Sequence, residues 1–125
     1  MLFDIGGAQI TTIPHKEDYD RWVKHLSQAD YDGVIEAIHK AIEGKEIFNA
    51  SFIPGTEWED TPFMPLYTAC GEVEEHAGFF YGILCWIAVQ RHPEEWVCYK
   101  DEERSIGRGW TYFRRKKVRP LSFGK

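Results

Sequence analysis

Three cysteines and five histidines carry most of the reactive side chains in this chain of 125 residues. Cys70, His76, Cys85, His92 and Cys98 are the residue types that ligate zinc, but no CxxC pair occurs and no two histidines stand four apart, so the spacing fits no structural zinc pattern. A cysteine nucleophile needs a partly exposed site, a lowered pKa and a histidine base. Cys70 stands just ahead of Glu72, Glu74 and Glu75, whose negative charge opposes thiolate formation. Buried, reduced thiols acting as small hydrophobes are expected instead, with no catalytic residue, metal or cofactor.

Glu57, Glu59 and Asp60 surround Trp58 and supply the carboxylates that acid–base work or a hard cation would need. Nothing nearby completes such a site, so a solvated acidic loop is the simpler expectation, with Asp60 or Thr61 capping the next element. Trp58 itself fits either an exposed partner-binding anchor or an aromatic folded back into the core. His76 comes four residues after Glu72, the spacing of an ion pair on a helix surface.

Composition bounds the remaining possibilities. A chain 43% hydrophobic and 15% aromatic is too apolar for disorder, 28% charged is ordinary for a globular protein, and the length suits one domain over residues 1–125. The opening MLFDIGGAQI lacks the basic start and apolar run of a secretory signal. The charge-free run from Ala77 to Val89 is too short to span a bilayer, so no membrane segment is expected. The odd number of cysteines suits a reducing cytoplasm.

Several elements must position these residues. LFDI and AQITTI flank Gly6-Gly7, which predicts an N-terminal β-hairpin. Tyr19, Trp22, Val23 and Leu26 mark a short amphipathic helix from about Glu17 to Leu26. Ser27 to Asp30 reads as a capping box ahead of a stripe of Tyr31, Val34, Ile35, Ile38, Ala41 and Ile42, closed by Gly44. EIFNASFI alternates as a strand, and PLYTAC forms a short helix with Pro65 in its first turn. Glu72 to about Arg91 is expected as one long helix packed on the Ala29 to Glu43 helix. The rival reading is a buried strand, since its residues are largely β-favouring. Gly78 and Gly82 would weaken a strand interior, whereas on a helix their spacing leaves a flat patch for close packing. EWVCYK and GWTYFRRK, separated by DEERSIGR, predict a hairpin with a long tip, and RPLSFGK forms a tail.

From Ala29 this order of helix, strand, short helix, Gly71, longer helix and strand pair resembles a winged helix-turn-helix domain. The helix pair is Pro65 to Cys70 and Glu72 to Arg91, and Asp101 to Arg108 is the wing tip. The resemblance implies an α+β fold, a winged-helix-like body over 29–119 preceded by the hairpin and extra helix of 1–28. It also implies either DNA binding through the second helix of the pair or protein binding on the same scaffold.

Charge separates those two implications. Residues 1–100 hold seventeen acidic against seven basic side chains and residues 101–125 hold three against eight, giving −10 and +5 and hence the net −5. A groove-reading helix exposes basic and amide groups near its N-terminus, whereas this one carries Glu72, Glu74 and Glu75. The expected function is therefore non-enzymatic binding or regulation through a protein partner or homodimer, with Trp58, Glu72, Glu74 and Glu75 as partner-binding residues. The alternative is nucleic-acid binding through Arg104, Arg108, Arg114, Arg115, Lys116, Lys117 and Arg119. A third reading is an acidic inhibitor of a nucleic-acid-handling protein.

Overall fold

The computed structural model describes residues 1–49, 58–99 and 110–115. In chain order its elements are β1 (Leu2–Phe3), α1 (Lys16–Val23), α2 (Gln28–Ile42), β2 (Ile47–Asn49), α3 (Met64–Ala69), α4 (Glu74–Arg91), β3 (Trp96–Tyr99) and β4 (Thr111–Arg114). They make an α+β fold, and the described strands form one mixed sheet in the order β1-β3-β4-β2. β2 and β3 run antiparallel to β4, whereas β1 runs parallel to β3.

Local chemistry accounts for the helix boundaries. Glu17 and Asp18 occupy the first turn of α1, where the helix dipole favours anions, and Trp22 turns its ring into the core. The Ser27 hydroxyl accepts the Asp30 backbone N–H at 3.1 Å, which fixes the start of α2. Tyr31, Val34, Ile35, Ile38 and Ile42 then follow the helical period and are all buried. Gly44, at φ 75, lets the chain leave that helix through the left-handed region. Pro65 sits in the first turn of α3, where its missing N–H costs nothing.

α4 is the central helix. From Ala77 to Val89 its side chains are buried apart from Gly78, Phe79 and Gly82, because α1, α2 and α3 all pack against it while Trp86 reaches Tyr112 on the sheet. The uncharged run is thus a core helix, and among the described residues no helix is long and apolar enough to cross a membrane. The expected packing of α4 on α2 is found, and the His39 ring N–H donates to the Ala88 carbonyl at 2.7 Å between them.

Two of these expectations change in detail. The N-terminal hairpin is present and short: the Asp4 N–H donates to the Ala8 carbonyl at 2.9 Å and the Ile10 N–H to the Leu2 carbonyl at 2.7 Å around an antiparallel bridge from Phe3 to Gln9, and Leu2 and Phe3 also pair with Trp96 and Val97. Leu2 is fully buried, so the apolar start of the chain closes the small hairpin and completes the main sheet at once. The long helix begins at Glu74, since Glu72 lies in the left-handed region at φ 64. The end of EIFNASFI beyond Asn49, the wing tip and the tail lie outside the described residues.

The flat patch expected at Gly78 and Gly82 has no close neighbour among the described residues. A Cβ at either position would meet nothing within 4 Å, so no described element presses on either site.

Candidate interaction surface

Alternation along the strands sends Leu2, Phe48, Trp96, Cys98 and Tyr112 into the core. The opposite parity places Phe3, Val97, Phe113 and Ile47 side by side, because the register aligns Phe3 with Val97, Val97 with Phe113 and Phe113 with Ile47. One apolar row therefore crosses all four described strands. Beside it, Tyr99 stands opposite Thr111, which stands opposite Asn49. The Asn49 amide donates to the Thr111 hydroxyl at 3.0 Å, and the Tyr99 ring lies 6.3 Å from that of Phe113.

This face is open. Ile47 is 59% exposed, Tyr99 38% and Phe113 37%, while Phe3 and Val97 are half-buried. On the other side of the apolar row lies a charged border, where Arg115 pairs with Glu95 at 3.6 Å and places its guanidinium over the Phe3 ring, 4.9 Å from the centroid. The arrangement offers an apolar strip with a polar margin on either side.

The basic residues expected to meet nucleic acid divide into two groups. Arg104, Arg108, Lys116, Lys117 and Arg119 lie outside the described residues. Arg114 and Arg115 are both engaged within the fold. Arg114 pairs with Glu94 at 2.5 Å, donates to the Lys45 and Ile42 carbonyls at 3.0 and 3.3 Å, and lies over Trp96.

The acidic tip divides differently. Glu72, Glu74 and Glu75 are exposed, but Glu72 sits on the turn before α4 and only the other two lie on the helix. Because Glu72 is not helical, the expected i,i+4 relation to His76 does not arise, and the His76 ring instead packs on Trp22 with centroids 5.5 Å apart. Trp58 is the folded-back aromatic and not an exposed anchor: it is 4% exposed and stacks on Tyr67, while Glu59 and Asp60 remain at the surface. Glu57 lies outside the described residues.

The thiols are core residues. Burial pushes Cys70 up to about 11 and Cys85 up to about 12, and it raises Cys98 as well. Among the described residues no set of histidine, cysteine and carboxylate side chains converges as a metal site. Cys70 and His76 do line a cleft of about 850 Å³ with Arg21, His25 and Thr68, but the Arg21 guanidinium is held by Asp18 and lies over Trp22.

Sequence reasoning missed the open sheet face, although its signal is in the strands themselves. WVCY and TYF are apolar at both parities, and Ile47 is apolar on the side where Asn49 had marked a polar face; such strands have two apolar faces to cover. Comparison with protein-family models, curated proteins and solved structures finds no match to this chain, so the reading of the surface rests on its own geometry.

Proposed function

We propose that the protein is a non-enzymatic binding module that self-associates, two copies packing their open sheet faces together. The observation that carries this is the row Phe3, Val97, Phe113 and Ile47, extended by Tyr99: apolar side chains side by side on one face, with Ile47, Phe113 and Tyr99 exposed and Phe3 and Val97 half-buried. An uncharged strip of this kind has no electrostatic feature that selects a distinct partner. A second copy presents the same strip, and a two-fold axis lets the border charges of one copy, Arg115 and Glu95, face their opposites on the other.

The order α2, β2, α3, α4, β3, β4, with β4 between β2 and β3, supports a winged-helix-like reading of the body, with α3 and α4 as the helix pair. On that reading α4 points Glu74 and Glu75 outward where a groove-reading helix needs basic or amide groups, which favours protein over DNA as the partner. Nucleic acid ranks second because the two described arginines of the basic end already have partners within the fold.

The test is the mass in solution by light scattering and sedimentation over a concentration series, for the unmodified protein and for Phe113→Glu and Ile47→Lys. A dimer that both substitutions convert to a folded monomer is expected. A monomer at every concentration, or a dimer untouched by both changes, overturns the reading.

A further inference from the structure

Two N–H groups converge on Nδ1 of His92, at the C-terminal end of α4. The Glu94 backbone N–H reaches it at 3.1 Å and the Trp96 indole N–H at 3.3 Å. Neither partner can accept a hydrogen bond, so Nδ1 holds the lone pair and the ring is neutral, with its proton on Nε2.

The surroundings oppose a charge on this ring. From α2, His39 meets it edge to face with centroids 5.2 Å apart, and His39 is itself committed as a donor to the Ala88 carbonyl. From β4, Arg114 lies beside it over Trp96, paired with Glu94. From the head of β1 comes the Met1 amine, which donates to the Val89 carbonyl at 3.1 Å, to the Glu94 carbonyl at 2.9 Å and to the carbonyl of His92 itself. Burial foremost, then His39, pushes the ring below the ordinary histidine range. Arg114 and the amine add to this, and only the Glu94 carboxylate pulls the other way.

β1 is two residues long, and the Trp96 backbone N–H, which donates to the Met1 carbonyl at 2.9 Å, begins its pairing with β3. We propose that His92 is an acid-sensitive latch, fastening the edge strand β1 and the start of β3 to the end of α4. A proton on Nδ1 converts the shared acceptor into a third donor facing two donors, and it sets a positive ring beside the amine and Arg114. The Trp96 indole and the Glu94 N–H lose their partner together, and the amine is driven from the carbonyls that hold it.

The sign follows from the lowered pKa. The unfolded chain binds a proton at the ordinary value while the folded ring does not. The stability supplied by the neutral ring is therefore complete above 6.5 and is lost as pH falls through that value toward the folded pKa. The latch is independent of whether the sheet face is an interface, since it concerns the folded monomer.

The experiment follows the His92 ring nitrogens and the exchange of the Trp96 indole and backbone N–H groups by NMR from neutral to mildly acid pH, with His92→Asn and His92→Gln alongside. Their amide oxygens offer an acceptor that does not ionise, and the Asn oxygen is the closer match to Nδ1. In the unmodified protein His92 should titrate below the ordinary range. In the same step both Trp96 protons should lose more than about tenfold in protection after correction for intrinsic exchange. The core amides of α4 should stay protected. At least one amide variant should keep the Trp96 protons protected across that range. The latch is refuted if His92 titrates at or above the ordinary value, if both variants lose protection as the unmodified protein does, or if Trp96 and the α4 core open together.

Discussion

The guanidinium of Arg114 lies over the Trp96 ring, 4.5 Å from its centroid, while its N–H groups reach back to the carbonyls of Ile42 and Lys45. One side chain thus ties the last described strand to its neighbour β3 and to the end of α2. The Ile42 carbonyl belongs to the last turn of that helix, where carbonyls lack intrahelical partners and an arginine is well placed to satisfy them.

Arg114→Met, which keeps an unbranched stem but removes the guanidinium and its donors, should therefore lower stability by about 2 kcal/mol, the scale of hydrogen bonds from a charged group. Arg114→Lys should recover less than half of that, because an ammonium cannot span two carbonyls and a ring as a planar fork does. Urea denaturation of the two variants measures both. A loss confined to the surface-pair scale, below about 0.5 kcal/mol, would show that Arg114 is a solvated charge free to meet phosphate.

Trp58 supplies a second contrast between core and surface. Packed on Tyr67 and almost fully covered, it should cost about 3–5 kcal/mol when replaced by alanine, as large core deletions do. An exposed anchor would leave stability nearly unchanged and weaken only binding. Thermal melting with an oligomer assay on the same sample separates the two.

How far the sequence disclosed this outcome can be judged from particular residues. The α2 stripe and its Ser27 cap were legible because period and cap are local properties, and α4 was legible because Gly78 and Gly82 disfavoured the strand alternative. The partner of Leu2 was not, because a two-residue strand is defined by what it joins, and Trp96 lies ninety-four positions on. Trp58, expected among the partner-binding residues, is a core residue for a similar reason: acids at 57, 59 and 60 describe its chain neighbours, whereas stacking on Tyr67 decides its burial. The open face escaped notice because a strand pattern says which residues share a side, not whether anything covers that side.

The thiols make a prediction about reactivity. With Cys70 raised to about 11 and Cys85 to about 12 by burial, almost no thiolate exists at neutral pH, and each sulfur is also sterically covered. Iodoacetamide applied to the native protein should leave Cys70, Cys85 and Cys98 unmodified over a period in which the urea-unfolded chain is labelled at all three. Peptide mass spectrometry reads the sites directly. Rapid native labelling of Cys70, which lines the cleft beside His76, would place a usable nucleophile there after all.

The link between α3 and α4 makes the last prediction. Gly71 and Glu72 are consecutive left-handed residues, at φ 70 and φ 64, and the Glu72 N–H donates to the Tyr67 carbonyl at 2.9 Å to finish α3. Glycine adopts this conformation freely, whereas a side chain there costs about 1 kcal/mol or more. Gly71→Ala should therefore lower stability by about 1 kcal/mol even though its Cβ would meet nothing within 4 Å, so the loss comes from the backbone alone. Glu72→Gly should relieve the strain at the next position and raise stability by up to about 1 kcal/mol, the added unfolded-state freedom of glycine offsetting part of the gain. Equilibrium denaturation of both variants checks the pair. If Glu72→Gly destabilises the protein instead, the glutamate side chain makes a favourable interaction that outweighs its backbone cost, and a role for this carboxylate at the acidic tip gains direct support.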